Sequence, residues 1–247
     1  MSIRNSLLRT YFARRMKAID RFRRHPDQVQ AEMFRQLIAR GADTEFGRRH
    51  GVAKHLTPEA FAARVGVQDY ESFKPYIERM LAGEKNVAAP GRVTLFARSS
   101  GTTSDRSKFI PVTRESVWWN HTLGMRDVAA VYASAKPQTK IFDGKTLTLG
   151  GSYVRENGAL IGDLSAVLIS QTPFWSGWFR APKMETALIP DFDRKIEGIC
   201  RECTREKITA FAGVPSWNLV LMRRVLEYTG TVSYTHLRAH ETCADLV

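Results

Sequence analysis

The densest run of hydrogen-bonding side chains in this sequence lies in Phe96–Thr113, FARSSGTTSDRSKFIPVT. Within it Ser99, Ser100, Gly101, Thr102 and Thr103 are consecutive small or hydroxylated residues. Glycine admits backbone conformations in which successive N–H groups converge on an anion, and the hydroxyls add donors toward phosphate oxygens. Arg106 and Lys108 bring positive charge to the same stretch. The spacing is not that of the G-x-x-x-x-G-K-[ST] phosphate loop, because Arg106 stands where that motif needs its second glycine. Composition alone therefore leaves two readings open, an anion cradle and a solvated turn.

Other residues invite a chemical reading and mostly lose it. Cys200 and Cys203 form a C-x-x-C, but they share one apolar helical stripe with Ile196 and Ile199 and have no second pair to complete a zinc set. Buried core cysteines are the expectation. Val214 and Pro215 follow a candidate strand, at the edge where α/β enzymes place ligands; a proline in a first helical turn, with Trp217 packed in the core, explains them equally well. For Trp175, Trp178 and Phe179 the expectation is core or interface packing rather than a substrate wall. No catalytic residue and no metal ligand set is assigned.

The elements that must position these residues alternate in type. Residues up to Arg24 read as a basic helix, with Leu8, Tyr11, Phe12, Met16, Ile19 and Phe22 at helical spacing, and a second helix after Pro26 puts Val29, Met33, Leu37 and Ile38 on one face. Asp43–Gly51 reads as a loop, Thr57-Pro58-Glu59 as a helix start and Tyr70–Leu81 as a short helix ending at Gly83. Val93–Ala97 and Lys108–Val112 read as strands flanking the Ser99–Ser107 turn, followed by a helical pattern from Thr113 to Ser134. Thr146–Leu149 is a further strand, Pro137–Gly144 a surface loop and Pro173–Pro182 an aromatic loop. Helices over Asp193–Lys207 and Ser216–Tyr228 bracket a buried strand at Ile208–Gly213. Helices alternating with short buried strands predict an α/β fold.

The chain has 247 residues, 43% hydrophobic, and can bury a substantial core. Its formal net charge of +12 is compatible with nucleotide, nucleic acid or a membrane surface as partner, and a basic nucleic-acid-binding module stays an alternative supported by charge alone. No window approaches the roughly 18 apolar residues of a membrane-spanning helix. The arginine-rich N-terminus, whose first acidic residue is Asp20, has the look of a transit peptide, but its periodicity predicts a packed helix. Three cysteines and no apolar leader suit the cytoplasm. The final Val232–Val247, VSYTHLRAHETCADLV, resembles a translated transposase adapter used in sequencing libraries. Residues 1–231 are thus expected to be natural sequence and 232–247 an adapter-derived tail that packs poorly, so that His236 and His240 carry no metal site.

SSGTTSDRSK resembles the serine/threonine/glycine phosphate loop of the adenylate-forming superfamily. The longer Phe96–Thr113 segment is similar to the version found in acyl-acid amido synthetases, the auxin- and jasmonate-conjugating enzymes and their bacterial relatives. DTEFGRRHG at Asp43–Gly51, YESFKPYIERMLAGEKNV at Tyr70–Val87, DFDRKIEGI at Asp191–Ile199 and AGVPSW at Ala212–Trp217 agree with it. The resemblance implies an incomplete, N-terminal part of the large adenylate-forming domain. It implies ATP and Mg²⁺ as cofactors, a carboxylic acid activated as its acyl-adenylate, and an amine such as an amino acid that displaces AMP. Ser99, Ser100, Gly101, Thr102, Thr103 and Lys108 carry over as nucleotide-binding residues, and Val214 and Pro215 as the border of the acyl pocket. Asp105 departs from the glycine common at its position. A coenzyme A ligase of the same superfamily is the alternative. The adenine-contacting segments and the mobile C-terminal domain are expected beyond Gly230, so the chain by itself is expected to be inactive.

Overall fold

The computed structural model describes residues 2–99 and 107–230. Ser100, Gly101, Thr102 and Thr103, with Asp105 and Arg106, lie outside the described residues, as does the Val232–Val247 tail with His236, His240 and Cys243.

Caps and prolines set the first helices. Ser2 caps α1 (Ile3–Ala13) by accepting from the Asn5 amide, and a break at Arg14–Arg15 separates it from α2 (Met16–Arg24), so the single basic helix predicted there is two. Pro26 opens α3 (Pro26–Gly41), where a missing N–H costs nothing. Where the sequence predicts a loop at Asp43–Gly51, a short α4 (Glu45–Arg49) forms instead. Thr44 Oγ1 caps it from 3.0 Å, and Gly47 lets it approach α3: a Cβ there would lie 2.1 Å from the Gly41 carbonyl oxygen. Thr57 and Pro58 open α5 (Pro58–Val65) and α6 spans Tyr70–Leu81, both as the sequence predicts; the side chain of Asp69 caps α6.

The predicted strands around the loop are β1 (Leu95–Arg98) and β2 (Phe109–Val112). The helical stretch after them is interrupted: α7 (Arg114–Ser116) and α8 (Leu123–Ala135) flank a π-helical turn at Val117–Thr122. Further on come β3 (Lys145–Thr148), β4 (Tyr153–Glu156), β5 (Ala159–Gly162), α9 (Leu164–Ser170), β6 (Arg180–Ala181), α10 (Met184–Ala187), α11 (Phe192–Cys203), β7 (Ile208–Ala212) and α12 (Pro215–Thr229). Two predicted loops are structured. Pro137–Gly144 holds a 3-10 turn at Ile141–Asp143, anchored by buried Asn5, which donates to the Thr139 carbonyl and accepts from the Phe142 amide. Pro173–Pro182 holds a 3-10 helix at Phe174–Trp178 and then β6. Trp175 and Trp178 are exposed there, so of the expected core or interface packing the core half does not hold for them, while Phe179 takes the Arg4 guanidinium on its ring face.

The chain divides into two compact units. One comprises the described residues of 17–121 together with 154–162, and contains a sheet in the order β2-β1-β5-β4. β1 pairs antiparallel with β2 and parallel with β5, which places it between two neighbours. Its core gathers Tyr76, Ile77 and Met80 of α6 against Val93, Phe96 and Ile161. The other unit, residues 2–16, 122–153 and 163–230, holds the wholly parallel sheet β6-β3-β7. Ile196, Ile199, Cys200 and Cys203 of α11 and Leu221 and Val225 of α12 pack against Leu147, Leu149 and Ile208 of that sheet. The α/β architecture read from the sequence is the one that forms.

Candidate functional site

Phe96 is fully buried in an inner strand of its sheet, and the burial of Leu95, Phe96 and Ala97 gives way to exposed Arg98 as the strand leaves the core. The register Leu95↔Val112 to Arg98↔Phe109 then returns the chain to its starting point. Beyond the last strand pair, the Ser99 N–H donates to the Lys108 carbonyl at 2.9 Å and the Lys108 N–H donates to Ser99 Oγ at 3.0 Å. These two bonds form a neck that joins the ends of β1 and β2. Of the six residues assigned to the phosphate loop, the structure brings Ser99 and Lys108 together in this way. The Ser99 hydroxyl, with one lone pair occupied by Lys108, still has its own O–H to donate.

Tyr70, the first residue of α6, braces the neck. At the Arg98↔Phe109 pair the amide of β2 faces away from β1, and because β2 is an edge strand no other strand among the described residues satisfies it. Tyr70 Oη accepts it at 3.0 Å. The Lys108 ammonium lies over the Tyr70 ring, 5.2 Å from its centroid. Next to it, the Ser72 hydroxyl and amide hold the Asp69 carboxyl below its ordinary value, and the Lys108 charge adds to the effect. The signal available in the sequence was the Asp-Tyr pair opening a capped helix. The neck thus presents a backbone held by two hydrogen bonds, a hydroxyl whose proton has no acceptor among the described residues, and a cation steadied on an aromatic face. Those groups suit an anion.

Val214 and Pro215 belong to the other unit. Val214 is the N-cap residue of α12 and Pro215 its first residue, immediately after the C-terminal end of parallel strand β7. Both are exposed. Trp217 is 42% exposed rather than buried, and its ring meets Phe192 edge-to-face at 5.3 Å. Asn218 Oδ1, one residue on, is buried with no hydrogen-bond partner among the described residues.

Cys200 and Cys203 are buried free thiols, as the sequence predicts, and burial is the main cause of the Cys203 pKa being pushed up to about 12. Among the described residues no group of three His, Cys, Asp or Glu could hold a metal ion, and no helix is long and apolar enough to cross a membrane.

Residues 15–227 match the model of the GH3 family N-terminal domain. This chain belongs to the GH3 family. A probable indole-3-acetic acid-amido synthetase GH3.2 of Oryza sativa subsp. japonica is 34% identical over 106 residues, covering 42% of this chain and 17% of the relative. The indole-3-acetic acid-amido synthetase GH3.3 of Arabidopsis thaliana is 29% identical over 103 residues, 41% of this chain and 17% of that protein. Among solved structures, GH3.15 acyl acid amido synthetase superposes with a TM-score of 0.68 at 16% identity, over 92% of this chain and 40% of its own. AtGH3.15 acyl acid amido synthetase in complex with 2,4-DB gives a TM-score of 0.65 at 19% identity, over 81% of this chain and 36% of that one. The fold is therefore that of the N-terminal domain of GH3 acyl acid amido synthetases, and the chain covers about two-fifths of those structures.

Proposed function

We propose that this chain is the N-terminal part of an ATP-dependent acid–amino acid ligase of the cytoplasm. The observation that carries the reading is the two-bond neck between Ser99 and Lys108 at the end of a buried strand, the two residues that flank the serine/threonine/glycine run in the sequence of a GH3 family chain. In the first step a carboxylate oxygen attacks the α-phosphorus of ATP, the bond to the β-phosphate oxygen breaks, and pyrophosphate leaves. In the second, an amine nitrogen attacks the acyl carbon, AMP departs with the bonding electrons, and the amine gives up its proton to water.

Both reactants of the first step are anions, so the demand on the protein is to neutralise and hold phosphate charge as it develops. Ser99, Ser100, Gly101, Thr102, Thr103 and Lys108 supply hydroxyls, amides and an ammonium for that task, and Mg²⁺ enters with the nucleotide phosphates. Val214 and Pro215 border the acid. The test is to incubate the complete enzyme with ATP and a panel of carboxylic acids, offer amino acids or coenzyme A, and identify the product. An amide supports the proposal; a thioester without amide assigns the protein to coenzyme A ligases instead.

A further inference from the structure

Lys195 is buried to 2% exposure on α11, where a long cationic side chain is costly unless its charge is hydrogen-bonded. Its Nζ donates to the carbonyl oxygens of Gly150 and Gly151, both at 2.7 Å. Burial pushes the ammonium down from its ordinary value and the Asp163 carboxylate pushes it back up. The turn it grips is tied from the other side as well. The Gly151 N–H donates to Ser165 Oγ at 3.0 Å, the Ser152 N–H to Asp163 Oδ2 at 3.2 Å, and the Asp163 N–H to the Ser152 carbonyl at 3.1 Å. Side chains are excluded from it: a Cβ on Gly151 would meet Asp163 Oδ2 at 1.8 Å, and one on Gly150 would meet Ile169 Cδ1 at 2.8 Å. Apolar residues often replace buried ions with no loss of stability, so an ammonium committed to two carbonyls is better explained by the geometry it imposes.

That geometry is passed on. The turn continues β3 at the C-terminal edge of the parallel sheet, the edge at which open α/β sheets place ligands. The Leu149 N–H donates to the Ala212 carbonyl at 2.9 Å, and Gly213 lies so close that a Cβ on it would stand 2.8 Å from the Leu149 carbonyl oxygen and 3.4 Å from Asn218 Oδ1. Val214 and Pro215 follow directly. Three residues before Lys195 on the same helix, Phe192 packs edge-to-face on Trp217 in the first turn of α12. One helix therefore grips both the turn beside Val214 and the helix that starts there.

We propose that Lys195 is a positioning residue for the acid-binding edge, its ammonium clamping the Gly150–Ser152 turn so that Val214 and Pro215 are presented to the carboxylic acid in one conformation. This inference rests on the ligase reading above. It predicts an effect on the acid and none on the nucleotide. Lys195→Met keeps an unbranched apolar stem one atom shorter and removes the donors; Lys195→Arg keeps the charge; Phe192→Leu loosens the second grip alone.

Two measurements separate the outcomes. In this chain, amide hydrogen exchange over residues 149–152 and 213–218 is expected to quicken about tenfold in Lys195→Met, with β1 and β2 unchanged and Lys195→Arg partly restored. In the complete enzyme, acid-dependent pyrophosphate exchange is expected to show KM for the acid raised about tenfold and KM for ATP unchanged. Unchanged exchange at 213–218 would overturn the clamp, and a KM effect equal for acid and ATP would overturn its substrate role. If Lys195→Met does not fold, the Lys195→Arg and Phe192→Leu pair carries the same comparison. A wild-type enzyme silent with every acid would overturn the ligase reading and the substrate role with it, while the amide-exchange arm would still decide the coupling.

Discussion

Ser99→Ala removes a single oxygen from the neck of the candidate phosphate loop. The Lys108 N–H then loses its acceptor at 3.0 Å, while the bond from the Ser99 N–H to the Lys108 carbonyl at 2.9 Å survives because it uses the backbone alone. Both residues are half-buried, so water can replace the lost oxygen in part. The cost is accordingly that of one ordinary hydrogen bond, about 0.5–1.5 kcal/mol. At about 1.4 kcal/mol per factor of ten, local opening at the neck becomes roughly twofold to tenfold more frequent. Residue-resolved hydrogen exchange reads this directly: the Lys108 amide should exchange faster by that factor in Ser99→Ala and return toward wild type in Ser99→Thr, which keeps the hydroxyl. Amides of β5, on the far side of β1, should not change. Unaltered Lys108 exchange in Ser99→Ala would refute the claim that the Ser99 hydroxyl closes the neck.

Tyr70→Phe keeps the ring under Lys108 and removes the acceptor of the Phe109 amide, whereas Tyr70→Leu removes both; in the complete enzyme the KM for ATP should rise in that order, measured at fixed saturating acid, and equal values for the two variants would discount the ring. Leu221→Ala empties a fully buried position between α12 and the parallel sheet and should destabilise its unit by about 2–5 kcal/mol in urea unfolding, well above the effect of the same change at exposed Leu219. With its folded pKa raised from 9.0 to about 12, the Cys203 thiol stays protonated in the native state longer than in the unfolded one. Its contribution to stability is thus complete below about pH 9 and is lost as pH rises toward 12. Unfolding curves across that window should decline less steeply for Cys203→Ala than for wild type.

How much of this was legible in the sequence differs from element to element, for physical reasons. The α6 span could be read up to its stop at Gly83, and the structure adds the Asp69 cap and the burial of Tyr76, Ile77 and Met80 that agree with it. Ser99 and Lys108 could be placed on either side of a turn because the apolar runs flanking them are strands, but no periodicity reports that Tyr70 comes under Lys108 from a distant helix. The β4–β5 hairpin went unread although Asn157-Gly158 is a strong hairpin signal, both residues adopting positive φ of 49° and 75°. Its strands are four residues each, and β5 is buried throughout, so no alternation marks it. Helix α4 went unread because its polar residues and Gly47 describe a turn, whereas the close approach of the Gly41 carbonyl makes the glycine a packing requirement. Lys195 was invisible for the opposite reason: within DFDRKIEGI a lysine reads as solvated, and only the fold turns it onto two carbonyls.

The central claim is that Ser99–Lys108 holds the nucleotide phosphates of an adenylating enzyme. Its most direct test is acid-dependent exchange of labelled pyrophosphate into ATP by the complete enzyme and by its Ser100→Ala and Thr103→Ala variants. The account predicts exchange that requires both ATP and a carboxylic acid, slowed by about 10²-fold or more when either hydroxyl is removed. Exchange that persists at the wild-type rate in both variants would contradict it.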